Sequence, residues 1–261
     1  MIIGISGKIG SGKDTVGEII RYLISYQING GNWSYPDGFK LNIQYTESKW
    51  EIKKFADKLK DIVCLLIGCT REQLEDQEFK STPLGKEWDK YIVHSDGVPQ
   101  VVSSGYYYST HKTKEIVKTT PRLLLQLLGT ECGRDIIHPN IWVNALFADY
   151  DPGYTISPLD VDNQAPDNWI ITDMRFPNEL KAVKDRDGIS IRVERDLNCS
   201  LCNGAGCTHC YNGKVQNQGN HESETALDNA KFDYTIDNNN TIEDLIEKVK
   251  EILIKENILR Q

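Results

Sequence analysis

Residues 2–16 read IIGISGKIGSGKDTV. A short apolar run leads into a glycine-rich turn from Gly7 to Gly12, and Lys13 opens a helix-like segment. Glycines let backbone N–H groups turn inward around a polyphosphate, the helix that follows adds its positive N-terminal end, and Lys13 supplies a mobile positive charge. Gly7, Gly12 and Lys13 fit GxxxxGK, but Asp14 stands where the common pattern has Ser or Thr, and Thr15 comes one place late. The strand-like IIGIS before the turn and the helix-like DTVGEIIRYLI after it favour nucleotide binding over an ordinary strand-to-helix turn. The expected phosphate-binding residues are Gly7, Lys8, Gly10, Ser11, Gly12, Lys13, Asp14 and Thr15. The Asp14 carboxylate either holds Mg²⁺, directly or through water, or caps the helix.

The chain has 261 residues, 39% hydrophobic and 26% charged, enough for a substantial core within one main domain. A formal net charge of −8 argues against a broad basic surface for coating nucleic acid, so anionic ligands are caught locally and no nucleic-acid partner is expected. No apolar run approaches the length of a membrane span, and the first apolar stretch is broken by Gly4, Ser6 and Gly7. The expectation is a cytoplasmic protein with no membrane partner, in the host cytoplasm if the chain is viral. Cys64, Cys69 and Cys132 sit in apolar or helical surroundings and read as buried, reduced thiols.

Outward from the loop, a first helix is expected to end near Tyr26, with an irregular excursion over 27–48. WEIKKFA reads as extended and runs into ADKLKDIVCLLIG, where Leu59, Ile62, Val63, Leu66 and Ile67 recur at helical spacing. Residues 91–118 carry β-favouring runs, VPQVVS and SGYYYS, that suggest a hairpin or flap. RLLLQLLGTECGRDI is a helix with Leu123, Leu124, Leu127 and Leu128 toward the core, and HPNIWVNALFADY is a second. NWIITDMRFPNEL gives a buried strand that ends in Asp173 and Arg175. ISIRVE and DYTID are further strands, and TIEDLIEKVKEIL is a closing amphipathic helix. Strands alternating with helices imply a mainly parallel sheet covered on both faces, and Asp173 falls where open α/β sheets bind ligands.

Arg122, Gln126, Thr130 and Arg134 form a polar row at i, i+4 spacing on the first of those two helices, which residue pattern alone reads equally as a solvated face. The chain resembles the bacteriophage deoxynucleoside monophosphate kinases. The resemblance rests on GKIGSGKDT, FADKLKDIV, LLQLLGTECGRDIIHPNIWV, ITDMRFPNEL and HESETALD followed by FDYTIDNNNTIEDL, in that order over nearly the whole chain. It implies an α/β P-loop kinase fold of three layers. It also implies ATP and Mg²⁺ as cofactors, a deoxynucleoside monophosphate as acceptor, and transfer of the γ-phosphoryl to it for viral DNA precursor synthesis. By the same resemblance Arg122 and Arg134 become acceptor-phosphate ligands, where a planar guanidinium donates bidentate hydrogen bonds. Gln126, Thr130 and Trp142 become the base and sugar pocket, although Trp142 reads equally as core filling. Lys60 matches a family lysine on the acceptor side, with Asp57 and Lys58 weaker candidates. Lys13, Arg134, Asp173 and Arg175 are the implied catalytic set, Asp173 orienting Mg²⁺ or holding an arginine. His221 and Glu224 are assigned to the donor side. A homodimer is compatible with this reading.

Cys199, Cys202, Cys207 and Cys210 make two CxxC knuckles within an insertion over 196–220. Four thiolates close a tetrahedral site, so the expectation is structural Zn²⁺, against iron–sulfur ligation or unligated cysteines. Two other functions stand beside the nucleotide kinase: a phosphomevalonate-type small-molecule phosphate kinase, whose family shares the GKD variant and ESETALDN, and a zinc-bearing nucleic-acid-binding protein.

Overall fold

The computed structural model describes residues 1–28, 50–95, 98–102, 113–153, 167–196 and 225–260. Along the chain β1 (Ile2–Gly7) leads to α1 (Lys13–Ile28), β2 (Trp50–Lys53), α2 (Asp57–Ile67), α3 (Arg71–Glu75) and α4 (Gln77–Ser81). Strands β3 (Lys90–Ser95), β4 (Val98–Val102) and β5 (Thr113–Val117) follow, then α5 (Pro121–Gln126), which continues as a π-helix over Leu127–Ile137, and α6 (Ile141–Phe147). The last elements are β6 (Asn168–Met174), α7 (Pro177–Lys184), β7 (Ile189–Glu194), β8 (Tyr234–Asp237) and α8 (Ile242–Lys255). They group into two compact units, Met1–Phe55 with Val143–Gln261, and Ala56–Trp142.

The first unit is built on a five-stranded parallel sheet in the order β2-β6-β1-β7-β8. Every residue of β1 is buried, as a central strand covered on both faces requires. Ile3 and Ile5 pack with Val16, Ile19 and Ile20 of α1 and with Leu245, Ile246 and Val249 of α8. Ile2 faces the other way, with Val143, Leu146, Phe147, Leu180 and Val183. The sheet is thus the middle of three layers, as expected from the strand–helix alternation, and each fully buried isoleucine contributes about 2 kcal/mol relative to exposure.

One irregularity in this sheet matters for the site. Gly4 pairs with Ile171 but Ser6 pairs with Met174, so β6 carries one residue more than β1 between those pairs. Regular alternation from Ile171 would send Met174 to the opposite layer, yet both lie in the same cluster. A bulge at Thr172 and Asp173 re-aims these two side chains where the strand ends.

The second unit holds the short helices and a three-stranded antiparallel sheet, β4-β3-β5, where the sequence suggested a hairpin or flap. Thr70 caps α3 through the Gln73 amide, and Asp76 caps α4 through the Phe79 amide. Leu59 and Val63 of α2 are buried with Leu74 and Trp142, but Ile62 and Leu66, expected on the same core face, are exposed because α2 packs along one side only. Cys64, Cys69 and Cys132 are free thiols, half-buried rather than buried.

Beyond Gln126 the polar row at i+4 spacing is corrected by the backbone. From Leu127 the helix widens to the π form, closing with a 2.9 Å bond from the His138 amide to the Gly133 carbonyl, five residues back. Residues four apart no longer stand one above another in such a turn. Two buried glycines accompany the widening. A Cβ on Gly129 would lie 3.0 Å from Leu59 Cδ2, and one on Gly133 would lie 2.4 Å from the Leu128 carbonyl oxygen and 3.1 Å from the Trp142 ring.

Candidate active site

At the carboxyl end of β1 the chain turns through Gly10 (φ 79°) and Gly12 (φ 92°), conformations that glycine adopts without a Cβ penalty. The Ser11 amide donates to the Lys8 carbonyl at 3.1 Å and the Val16 amide to the Gly12 carbonyl at 2.9 Å, so the loop passes directly into α1. Lys13, the first helical residue, is buried. A Cβ on Gly7 would stand 2.3 Å from Ser11 Oγ, and the Ser11 hydroxyl is buried with no hydrogen-bond partner among the described residues. A loop of glycines at a helix N-terminus with an orphaned hydroxyl fits a polyphosphate.

The other four strands bring polar groups to this same end of the sheet. Lys54, just past β2, reaches Asp14 Oδ1 with its ammonium at 2.8 Å, and Thr172 Oγ1 of β6 donates to the same oxygen at 2.9 Å. A Cβ on Gly17 would come within 2.5 Å of Thr172 Cγ2, so glycine there lets α1 approach β6 closely enough for this bond. Burial pushes the Asp14 carboxyl up, but Lys54 and Thr172 outweigh it and hold the group below its ordinary value, hence ionised. Asp173 Oδ1 accepts from the Phe55 amide at 2.8 Å. Arg192 of β7, largely buried, donates to Ser6 Oγ at 3.1 Å and to Asp228 at 3.1 Å, and Asp228 also pairs with Lys8 at 3.2 Å. Asn238, just past β8, donates from Nδ2 to the Ser11 carbonyl at 2.8 Å.

Arg175 follows β6, and its amide donates to the buried carboxylate of Glu179 at 2.6 Å, as the Phe176 amide does at 3.0 Å. Glu179 thereby fixes the turn that carries Arg175 into α7. Mg²⁺ in kinases is held by one or two carboxylates together with phosphate oxygens and water, and an ionised Asp14 with Asp173 fits that donor set. Among the described residues no group of three or more His, Cys, Asp or Glu gathers as a metal site.

The acceptor-side candidates lie on the second unit. Lys60 pairs with Glu75, which also takes Lys80 at 3.2 Å; burial pushes Glu75 up, and the two lysines more than offset it. Arg122 Nη2 donates to Gln77 Oε1 at 2.9 Å. Gln126 is exposed, whereas Thr130 and Arg134 are half-buried on the π-helix. Trp142 is buried in the core of this unit with its indole N–H on the Gly129 carbonyl at 2.8 Å, which is the core-filling arrangement. Asp57 is taken up by Arg71 at 2.9 Å.

Sequence reasoning missed Lys54, Asp228, Arg192, Asn238, Glu75 and Gln77. Lys54 carried no signal beyond the charge run before FADK, Asp228 lay inside the quoted HESETALD, and Asn238 is the first of three consecutive asparagines. Cys199, Cys202, Cys207, Cys210, His221 and Glu224 fall outside the described residues. No helix among the described residues is long and apolar enough to cross a membrane.

No protein-family model matches the chain. It is similar to the deoxynucleoside-5'-monophosphate kinase of Escherichia phage T5, at 24% identity over 207 residues that cover 73% of this chain and 74% of that relative.

Proposed function

We propose that the protein transfers the γ-phosphoryl of ATP to a deoxynucleoside 5′-monophosphate, giving the diphosphate for viral DNA precursor synthesis. The observation that carries the reading is the set of polar groups from all five strand ends around the Gly7–Thr15 loop, with Asp14 held ionised beside Lys13. The acceptor class comes from the name of the phage relative. Phosphoryl transfer asks a protein mainly for positioning and charge neutralisation, and these residues supply both.

In this reading Gly7, Lys8, Gly10, Ser11, Gly12, Asp14 and Thr15 hold the donor, and Lys13 neutralises the transferring group. Asp14 and Asp173 hold Mg²⁺, which supplies further charge neutralisation when bound. Arg175 stabilises the moving phosphoryl, and Glu179 positions Arg175. Lys60, Arg122, Gln126, Thr130 and Arg134 serve the acceptor, with Glu75 and Gln77 holding Lys60 and Arg122 in place, while the buried Trp142 braces the π-helix through the Gly129 carbonyl. Residues 1–261 form one kinase domain, and 196–220 is an insertion in it.

Steady-state kinetics of two variants tests the division of roles. Lys13→Ala should cut kcat by about a hundredfold or more with the fold intact, since it removes a charge that acts on the reacting phosphates. Arg134→Ala should raise the acceptor KM while leaving the ATP KM near its wild-type value. Small and equal losses from both would remove the assignment.

A further inference from the structure

Asn238 touches the phosphate loop at the Ser11 carbonyl and at Gly12, and nothing in the loop's sequence motif calls for it. We infer that Asn238 is a positioning residue for the donor phosphates, acting by locking the Ser11–Gly12 peptide; the inference rests on the loop being the ATP site. Its own backbone is rooted, because the Asn238 amide donates to the Glu194 carbonyl at the end of β7 at 2.8 Å. Its neighbour roots it again: Asn239 Oδ1 accepts from the Asp196 amide at 2.7 Å. From that anchored position Asn238 Nδ2 donates to the Ser11 carbonyl at 2.8 Å, across 227 residues of sequence.

The Ser11 carbonyl and the Gly12 N–H belong to one peptide unit, and a planar trans peptide points them in opposite directions. Fixing the carbonyl on Asn238 therefore turns the Gly12 N–H away from Asn238, as a donor for an anion held in the loop. The lock is needed because the loop cannot supply it. Gly12 follows Ser11 with a backbone that populates both signs of φ, so the peptide between Ser11 and Gly12 rotates at little intrinsic cost. The Ser11 side chain, buried and without a hydrogen-bond partner among the described residues, does not fix it. Asn238 also lies tight against Gly12: a Cβ there would stand 2.4 Å from Asn238 Nδ2. Gly12 is thus required twice, for its φ of 92° and for the space Asn238 occupies.

The test is calorimetric titration of ATP and of ADP, with Mg²⁺ and no acceptor, into the wild-type chain, Asn238→Ala and Asn238→Asp. Kinetics of the same proteins accompany it. Asn238→Ala removes the donor. Asn238→Asp keeps the size and shape but sets a carboxylate against a carbonyl, so it should be the more damaging. The expected result is a loss of about tenfold in affinity for both nucleotides in Asn238→Ala, the scale of one hydrogen bond, and a larger loss in Asn238→Asp. The ATP KM should rise in parallel while the acceptor KM and the thermal midpoint of Asn238→Ala stay at wild-type values. A merely structural asparagine would lower the thermal midpoint and leave the two KM values in their original ratio. Wild-type binding with equal binding by both variants overturns the role of Asn238 alone. A wild-type chain that binds neither nucleotide overturns the ATP site and this inference with it.

Discussion

Thr172 Oγ1 donates to Asp14 Oδ1 at 2.9 Å, joining the end of β6 to the first turn of the helix that follows the phosphate loop. The bond exists because β6 bulges between Ile171 and Met174 and because Gly17 lets α1 come close. It holds Asp14 in one orientation, in the place where a phosphate-loop serine or threonine usually stands. Lys54 reinforces the arrangement from the side of β2.

Thr172→Val keeps the shape of the side chain and removes its one donor. Asp14 should then lose its fixed orientation, and the Mg²⁺ concentration for half-maximal turnover should rise about three- to tenfold, the scale of one ordinary hydrogen bond. Measuring ADP release across a Mg²⁺ titration checks this, and an unchanged midpoint would mean that Thr172 does not act through Asp14.

The two buried glycines of the π-helix should differ in a defined order. Gly133→Ala drives a methyl to 2.4 Å from the Leu128 carbonyl, a backbone atom with little room to yield, while Gly129→Ala meets only the end of Leu59 at 3.0 Å. Chemical denaturation should show a loss of about 2–3 kcal/mol for Gly133→Ala and about 1 kcal/mol or less for Gly129→Ala. The reverse order would contradict the packing described for this helix.

Much of the first unit could be read from sequence because its signals are local. The buried run before Gly7, the helix after Gly12 and the carboxylate at the end of NWIITD each lie within a few residues of what they predict. What escaped depends on partners far along the chain. The Asn238–Ser11 bond spans 227 residues and the Thr172–Asp14 bond 158, and no periodicity carries such pairings. The bulge at Thr172 and Asp173 was equally hidden, since strict alternation is what a pattern assumes. The π-helix defeated the i+4 row for a similar reason: the close approach of Gly129 and Gly133 to Leu59, Leu128 and Trp142 appears only once those residues are placed beside them.

Acid should separate a second carboxylate from its neighbours. Asp233 accepts from the Ser190 amide at 2.8 Å, the Ser190 hydroxyl at 2.7 Å and Lys184 at 3.0 Å. Burial pushes Asp233 up, but these donors outweigh it and lower its pKa in the folded chain. Its contribution is therefore complete above the ordinary aspartate value, near pH 4, and is lost as the pH falls through the lowered folded value. Asp233→Asn should cost about 1 kcal/mol at neutral pH after solvent screening, and its deficit should shrink as the solution is acidified below about pH 4. A deficit independent of pH would rule out the charged state as its source.

The knuckles at Cys199, Cys202, Cys207 and Cys210 lead to a separate expectation from spacing alone. Protein purified without chelator should carry about one zinc per chain, released by strong chelation or by Cys202→Ser together with Cys207→Ser. Metal analysis showing no stoichiometric zinc would leave these thiols without that role.

Phosphoryl transfer to a deoxynucleoside monophosphate is measured directly by following label from γ-³²P-ATP into product, with Mg²⁺. The acceptor panel holds dTMP, dGMP, dCMP, dAMP, their ribonucleotide counterparts and phosphomevalonate, with Lys13→Ala as control. Labelled diphosphate is expected from one or more deoxynucleotides and none from the control. Label on phosphomevalonate alone, or on no acceptor at all, would contradict it.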